Sequence, residues 1–338
     1  MADDIVLIEP TIEYADQIWD FRAEILEADA DSEDRFAGCL SLDSASSAEE
    51  WMRICLLRKS TETCSEAGTT VPSSMFLAIR KRDNRLVGII DLRHHIDHPI
   101  LGSWGGHCGY SVRPSERGKG YAKEMLRLNI QKAKELGIER MLVTCDENNP
   151  GSEKTILANG GVFEKTIEVD GTTMKRYWIS TFRPMRRIKQ QLTEEECIEV
   201  LKNSKRGVLS ILGELGYPYG IPMNHWYCEE DGHIYFHGAK DGHKIDSILA
   251  CDKVSFCVMD EGFRREGEWA LNIRSVVVRG RIVLVDDPEK AKKIGTALVR
   301  KFTDDEAYLE HEITHALPRA QCLELIPVYM TGKLVNES

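Results

Sequence analysis

No apolar run in this chain approaches the roughly 18 residues that a membrane-spanning helix needs. A helical membrane span is therefore not expected. There is also no C-x-x-C pair. The ten cysteines (Cys39, Cys55, Cys64, Cys108, Cys145, Cys197, Cys228, Cys251, Cys257 and Cys322) are scattered, so they read as reduced thiols of a cytosolic protein. Excess positive charge is lacking too: 44 Lys and Arg against 55 Asp and Glu leave a net charge of −11, which argues against general nucleic-acid affinity. No internal repeat or low-complexity segment is visible, and Met1-Ala2-Asp3-Asp4 is acidic where a signal peptide would be basic. The expectation is a cytoplasmic enzyme with small-molecule partners, no nucleic acid and no membrane.

What the chain does have is Arg117-Gly118-Lys119-Gly120-Tyr121-Ala122, set between an apolar stretch (Cys108 to Val112) and an amphipathic one (Lys123 to Leu136). This reads as strand, tight basic loop and first helical turn. Glycines at 118 and 120 let the backbone approach a ligand without an intervening Cβ. The first-turn N–H groups of the helix lack intrahelical partners and sit at the positive end of its dipole. Arg117 and Lys119 add full charges, so a phosphate or pyrophosphate fits. Two common phosphate loops fail. The Walker pattern needs Ser or Thr after Gly-Lys, and the dinucleotide fingerprint needs a glycine at 123, where the chain has lysine.

The flanking segments supply a mixed α and β order. Ile5 to Pro10 is a short strand, Ile12 to Asp29 has helical spacing, Ser74 to Ile79 and Arg85 to Arg93 form a hairpin around Asp83-Asn84, and Gly105 to Val112 is the next strand. After the loop, Ala122, Met125, Leu126, Asn129, Ile130, Ala133 and Leu136 share a helical face that Gly137 stops. Met141 to Cys145 is a buried-strand run. Asn148 to Ser152 opens a helix ending at Asn159-Gly160-Gly161, and Val162 to Val169 and Thr173 to Phe182 pair as a hairpin turning at Asp170-Gly171. Ser44 to Ser47 and Thr61 to Ser74 read as polar loops.

With Tyr110-Ser111-Val112-Arg113-Pro114 just upstream, Arg-x-x-Gly-x-Ala resembles the acetyl-CoA pyrophosphate loop of the GNAT N-acetyltransferases, over about Ile5 to Phe182. The resemblance implies that main-chain groups of Tyr110 and Val112 hold the pantetheine arm, that Arg117, Gly118, Gly120, Tyr121 and Ala122 hold the pyrophosphate, and that Asn149 is a further coenzyme contact. Many members carry an acidic tyrosine on the helix after the fifth strand; Ser152 to Asn159 has none, which leaves the general acid unassigned. Candidate bases are His107, Asp91 and His94, with His95 nearby, and each can also be read as an ordinary polar residue of a strand end. Glu24, Glu27, Asp29, Asp31, Glu33 and Asp34 form an acidic run that would attract a cationic amine or simply make a solvated face.

At 338 residues the chain is longer than this one domain needs. The expected division is 1–183 and 184–338, at Thr181-Phe182-Arg183-Pro184. Beyond it, Thr193-Glu194-Glu195-Glu196 is a capping box ahead of a helix. Short strands follow at Gly207 to Leu212, Tyr219 to Tyr227, His233 to His237, Val254 to Met259, Ser275 to Val285 and Leu323 to Met330, which suggests a barrel. The series Pro218 to Asn224, Ile234 to Asp246 and Arg274-Ser275-Val276 with Gly280 resembles the split barrels of the pyridoxamine 5'-phosphate oxidase-like superfamily, near the nitroimidazole-resistance branch. That resemblance implies a flavin, FMN with FAD as the alternative. His243, Lys244 and Lys240 would take its phosphate, the backbone of His237, Gly238 and Ala239 and the residues Met223 and Asn224 would line the ring edge, and Ser275 and Val276 would complete the site. A homodimer built through the barrel is implied as well.

His311-Glu312-Ile313-Thr314-His315 fits a zinc pattern, with Cys322 or Glu324 as a third ligand, but Leu317-Pro318 stops the helix at once; no metal is expected. The fold class is thus α+β, a GNAT-type mixed sheet flanked by helices followed by an FMN-binding split β-barrel. The expected function is a bifunctional fusion of an acetyl-CoA-dependent N-acetyltransferase acting on a primary amine and an FMN-dependent oxidoreductase acting on a small oxidant or nitro compound. The alternatives are a non-catalytic cofactor-binding sensor, and an acetyltransferase whose barrel only dimerises it.

Overall fold

Nearly every apolar run of the N-terminal half becomes a strand, and the periodic stretches between them become helices. The computed structural model describes residues 4–30, 35–183 and 185–336. Asp31, Glu33 and Asp34 of the acidic run, and Pro184, lie outside the described residues. The chain divides into two compact units, Met1–Arg183 and Pro184–Ser338.

The first unit runs β1 (Ile5–Ile8), α1 (Ala15–Ala28), α2 (Ala48–Arg58), β2 (Ser73–Arg80), β3 (Arg85–Arg93), β4 (Tyr110–Val112), α3 (Tyr121–Glu135), β5 (Arg140–Asp146), α4 (Pro150–Leu157), β6 (Val162–Val169) and β7 (Thr172–Ser180). One sheet has the order β1-β2-β3-β4 and a second the order β5-β7-β6. Every residue of β2 is buried. Alternation explains why: Phe76 and Ala78 face α3 together with Tyr121 and Met125, while Met75, Leu77 and Ile79 face Phe21 and Ile25 of α1 and Trp51 of α2. The helix α2 falls between the two polar loops at Ser44 to Ser47 and Thr61 to Ser74, with buried Trp51 and Cys55 set among charged residues; Ser47 caps it by accepting from the Glu50 N–H.

The expected strand from Gly105 to Val112 is shorter in the fold. Leu101–Gly105 is a single π-turn, and only Tyr110–Val112 is strand. Gly106 breaks the run. Its φ is +64°, and a Cβ there would lie 2.7 Å from the Leu142 carbonyl oxygen.

The second unit runs α5 (Glu194–Asn203), β8 (Arg206–Leu212), β9 (Pro218–Asn224), β10 (Trp226–Tyr227), β11 (Ile234–Ala239), α6 (His243–Ala250), β12 (Lys253–Met259), β13 (Asn272–Val285), α7 (Pro288–Arg300), α8 (Glu306–His311) and β14 (Ala320–Asn336). Its strands make one antiparallel sheet, β10-β11-β14-β13-β12-β8-β9, curled around Leu209, Phe236, Phe256, Val278, Leu323 and Leu325. The capping box forms in full, with Thr193 on the Glu196 N–H and the Glu196 carboxylate on the Thr193 N–H. The expected strand Tyr219 to Tyr227 is split, because His225 turns inward, fully buried, with Nε2 2.8 Å from the Leu201 carbonyl. β14 runs beyond Met330 to Asn336 because β13 pairs with it along its whole length, bulging at Arg279/Gly280.

Candidate functional site

In the first unit the site is a gap between two sheets. His107 closes one end of it: its backbone N–H donates to the Leu142 carbonyl at 2.7 Å, its Nδ1 accepts from the Leu142 N–H at 2.9 Å, and its carbonyl accepts from the Arg93 N–H. β3 and β5 are thereby tied through one residue. Three positions later the strands have parted. The bonds from the Asp91 N–H to Gly109 and from the Arg113 N–H to Val87 set the antiparallel phase, so Ser111 bonds toward β3 while the main-chain groups of Tyr110 and Val112 point the other way. β4 is an edge strand there. Of those outward groups the Val112 carbonyl accepts from Arg117 Nε at 3.2 Å.

The basic loop leaves β4 and enters α3 as its glycines require. Gly118 has φ +75° and Gly120, the N-cap of α3, has φ +87°; no side chain caps the helix. Tyr121 is buried and its hydroxyl accepts from Arg80 at 3.1 Å, so only its main chain faces the loop. Arg80 also holds Glu116 at 2.9 Å, and Glu116 holds Lys119 at 2.8 Å. Arg117 is gripped by both oxygens of Asp29 at the end of α1. Hydrogen bonding to Arg117 holds the Asp29 carboxyl below its usual range, against the opposing effect of burial. An anion at the loop would share Arg117 with Asp29.

Across the gap, Asn149 caps α4 by accepting from the Ser152 N–H at 3.0 Å, and Tyr110 reaches over so that its hydroxyl lies 2.8 Å from Ser152 Oγ. Buried Tyr177 donates to Glu153 at 2.5 Å. The sequence pattern did not single out Tyr177; only its alternation on the last strand marked it as inward. The candidate bases separate by environment. Asp91 is fully buried, with Oδ1 accepting from the Gly109 N–H at 2.5 Å and Oδ2 3.1 Å from Arg93 Nε. Burial raises its pKa, with Arg93 and the Gly109 N–H opposing. His107 is lowered to about 4, by burial first and then by Arg93 and His95, against the opposing effects of the Leu142 backbone bond and Asp97. His94, just past the end of β3, is half-buried with Nε2 2.9 Å from Ser74 Oγ; burial first, then His95 and Lys59, lower its pKa. His95 is half-buried, with Nδ1 accepting from the Asp97 N–H.

In the second unit a basic cradle forms where β11 leads into α6. Gly242, at φ +99°, caps the helix, and His243 and Lys244 open it. Lys244 Nζ lies directly over Gly238, where a Cβ would come within 2.0 Å of it. Burial lowers the Lys244 pKa. His243 stacks on Tyr219 of β9 at 4.6 Å between ring centres. His237, Gly238, Ala239 and Lys240 complete this group. Met223, Asn224, Ser275 and Val276 form another, at the far end of β9. Met223 lies opposite Gly207, Gly207 opposite Val258, and Val258 opposite Val276, making one row across four strands. Met223 and Val276 bury their side chains; Met223 lies on the edge strand β9, whereas Val276 is paired on both sides, with Val258 of β12 and Gly332 of β14. Tyr219, quoted in the motif but not among the expected site residues, joins the two groups through β9.

His311 and His315 do share a face, their rings stacked at 4.7 Å. The ligands proposed to complete a zinc site are engaged elsewhere. Cys322 is buried, and Glu324 lies 2.7 Å from His233 Nδ1 while accepting from Tyr235 and from Lys290. Asp231, His233 and Glu324 are the one group with metal-ligand spacing among the described residues, and the Lys290 ammonium already pairs with its Glu324 at 2.7 Å.

Comparison with known proteins defines the class of each unit. Residues 7–162 match the family model of the GNAT acetyltransferase domain, and residues 193–334 that of pyridoxamine 5'-phosphate oxidase. The chain therefore carries a GNAT acetyltransferase domain followed by a pyridoxamine 5'-phosphate oxidase-like split barrel. Similar solved structures include a protein named for 5-nitroimidazole antibiotic resistance from Bacteroides thetaiotaomicron (17% identity, 52% of this chain and 92% of that one, TM-score 0.36). An FAD-binding protein from Mesorhizobium loti is also similar (23% identity, 43% and 97% covered, TM-score 0.32), as is an FAD and haem binding protein from Mycobacterium smegmatis (15% identity, 44% and 74% covered, TM-score 0.36). No curated protein matches the chain.

Proposed function

We propose that the chain is a bifunctional fusion, divided at Arg183, of an acetyl-CoA-dependent N-acetyltransferase and an FMN-dependent oxidoreductase. The observation that carries the first half is an edge strand with outward main chain running into a loop of two left-handed glycines and an uncapped helix N-terminus. The pyrophosphate of acetyl-CoA lies at the amides of Gly118, Gly120, Tyr121 and Ala122, with Arg117 beside it. The pantetheine arm adds to β4 through Tyr110 and Val112, and Asn149 contacts it from the far side. A primary amine attacks the thioester carbon directly. The C–N bond forms, the oxyanion is held by β4 backbone donors, and the C–S bond then breaks, with its electron pair and a proton going to sulfur. Asp91 and His107 are held by the sheet, which leaves His94 and its neighbour His95; the proton of the amine is assigned to His94, whose lowered pKa keeps it neutral and able to accept one.

For the second half the fit to a flavin rests on the cradle at the start of α6, where the absence of a Cβ at Gly238 lets the Lys244 ammonium lie against the β11 main chain beside His243. His243, Lys244 and Lys240 hold the phosphate; Tyr219 packs beside it through His243; Met223, Asn224, Ser275 and Val276 flank the ring. The family resemblance favours FMN over FAD. Bound flavin supplies the two-electron chemistry that side chains lack. The substrates are a small amine and a small oxidant or nitro compound, and the barrel edges pair two copies. No described helix is long and apolar enough to cross a membrane, which is compatible with a cytoplasmic location.

The test is the absorption spectrum and ligand mass of freshly purified protein, followed by turnover of acetyl-CoA with an amine panel and of NAD(P)H with nitro compounds. Yellow protein releasing FMN and consuming both substrates supports the fusion. Colourless protein that stays so with FMN reduces the barrel to a dimerisation module, and cofactor binding without turnover makes the chain a sensor.

A further inference from the structure

The second unit contains a cavity of about 690 Å³ that none of the proposed flavin residues lines. It lies between the segment ahead of α5, the loop before β13 and the end of β14, within the size range of ligand sites, roughly 300–1,000 Å³. Its features are unlike those of an incidental surface dent. Trp269 lines it with its residue 76% exposed, an unusual position for an indole with no partner to cover it. Gln190 Oε1 is buried and accepts no hydrogen bond. Asn272, 1% exposed, sits in the lining as a fixed wall, its Oδ1 accepting from Asn336 Nδ2 at 3.1 Å and its Nδ2 donating to the Phe263 carbonyl at 3.4 Å. Leu334 adds an apolar wall, and Lys189 and Arg265 add two positive charges. Of the acidic residues in the lining, Glu196 is spent in the capping box of α5, which leaves Glu268.

An exposed indole accepts a flat ring, an orphan buried amide oxygen requires an N–H or O–H donor, and two cations that outnumber the one carboxylate not already held in a cap suit an anion. We propose that this cavity is a nucleotide site: a heteroaromatic base stacks on Trp269 and donates an N–H to Gln190 Oε1, with its phosphate at Lys189 and Arg265. The site is separate from the cradle at Lys244. It does not depend on the flavin reading, since the three groups assigned to the ligand, Trp269, Gln190 and the Lys189 and Arg265 pair, are none of the residues proposed to hold the flavin.

The experiment titrates the full chain with AMP and with NADP⁺, neither of which can reduce a flavin, following tryptophan fluorescence and calorimetry. Saturable binding is expected for at least one probe. Trp269→Ala should weaken it at least about fivefold, the usual effect of removing a stacking partner, and Arg265→Ser should weaken it and flatten its salt dependence. Because Trp269 is exposed, the variant should melt as the wild type does. Flavin content is measured on the same samples. Failure of both probes to bind up to millimolar concentration, or binding that both variants leave unchanged, overturns the proposal. So does loss of flavin from Trp269→Ala protein, which would make this cavity part of the flavin site. A colourless wild type that still binds AMP through Trp269 would sink the flavin reading and leave this one standing.

Discussion

Replacing His107 by Leu tests whether the gap between the two sheets depends on one imidazole. Leucine keeps the volume of a residue that is 5% exposed but removes the acceptor of the Leu142 N–H, leaving that donor buried and unpaired. Such an orphan costs about 1–3 kcal/mol. The loss should depend on pH, and the sign can be worked out. The folded imidazole has its pKa lowered from 6.5 to about 4, so the unfolded chain binds a proton that the folded chain refuses between those values. Wild type is fully stabilised above 6.5 and loses up to about 3 kcal/mol as pH falls toward 4; the leucine variant has no such term. The two should therefore differ at pH 7.5 and converge near pH 5. Because a chain of two units need not melt in one step, the readout is amide exchange of the 140–146 peptide in the full chain. Exchange should be about tenfold faster in the variant at pH 7.5, as about 1.4 kcal/mol implies, with the ratio near one at pH 5. A ratio that stays constant with pH would refute the reasoning, and so would no difference at neutral pH. If the gap holds the pantetheine arm, KM for acetyl-CoA rises in the variant as well.

Other outcomes follow from the two cradles. Gly120→Ala forces a Cβ onto φ +87°, which costs about 1–2 kcal/mol and should raise the calorimetric Kd for CoA several-fold. Asp29→Asn frees Arg117 from its carboxylate and should tighten CoA a few-fold at low salt, with the gain vanishing at high salt; unchanged affinity would mean that Arg117 does not reach the ligand. Gly238→Ala puts a Cβ 2.0 Å from Lys244 Nζ, so the ammonium must move, and flavin recovered on purification should fall while the circular dichroism spectrum is unchanged. Lys244→Met should raise the FMN Kd about tenfold or more, since a charge-assisted phosphate contact is lost; equal flavin content in wild type and variant would count against the cradle.

Particular residues show how far the chain could be read without its fold. β3 runs from Arg85 to Arg93 as its apolar pattern indicates, and the capping box at Thr193 forms with both reciprocal bonds. Both are local: an alternating run or a four-residue cap carries its own stabilisation. β4 is different. Its apolar stretch reads as a long strand, but Gly106 turns out toward Leu142 and the ladder is cut to three residues. α2, bracketed by the polar loops, has a buried face of a few residues among charges and is made helical by the groove it fills. His225 splits a strand because its imidazole finds the Leu201 carbonyl, a contact 24 residues away.

The sequence by itself determined the glycine-cation loops at 117–122 and 238–244, the turn joining β2 to β3 and the capping box at Thr193, because each rests on contacts within a few residues. Only tertiary structure decided which polar groups remain for chemistry. Asp91 and His107 look like bases in sequence and become pins of the sheet, while His94, Tyr110 and Tyr177 gain partners from distant segments. The physical reason is burial. A titratable group in the interior must be hydrogen-bonded or paired, and its partner is chosen by the packing of elements that the local pattern does not specify.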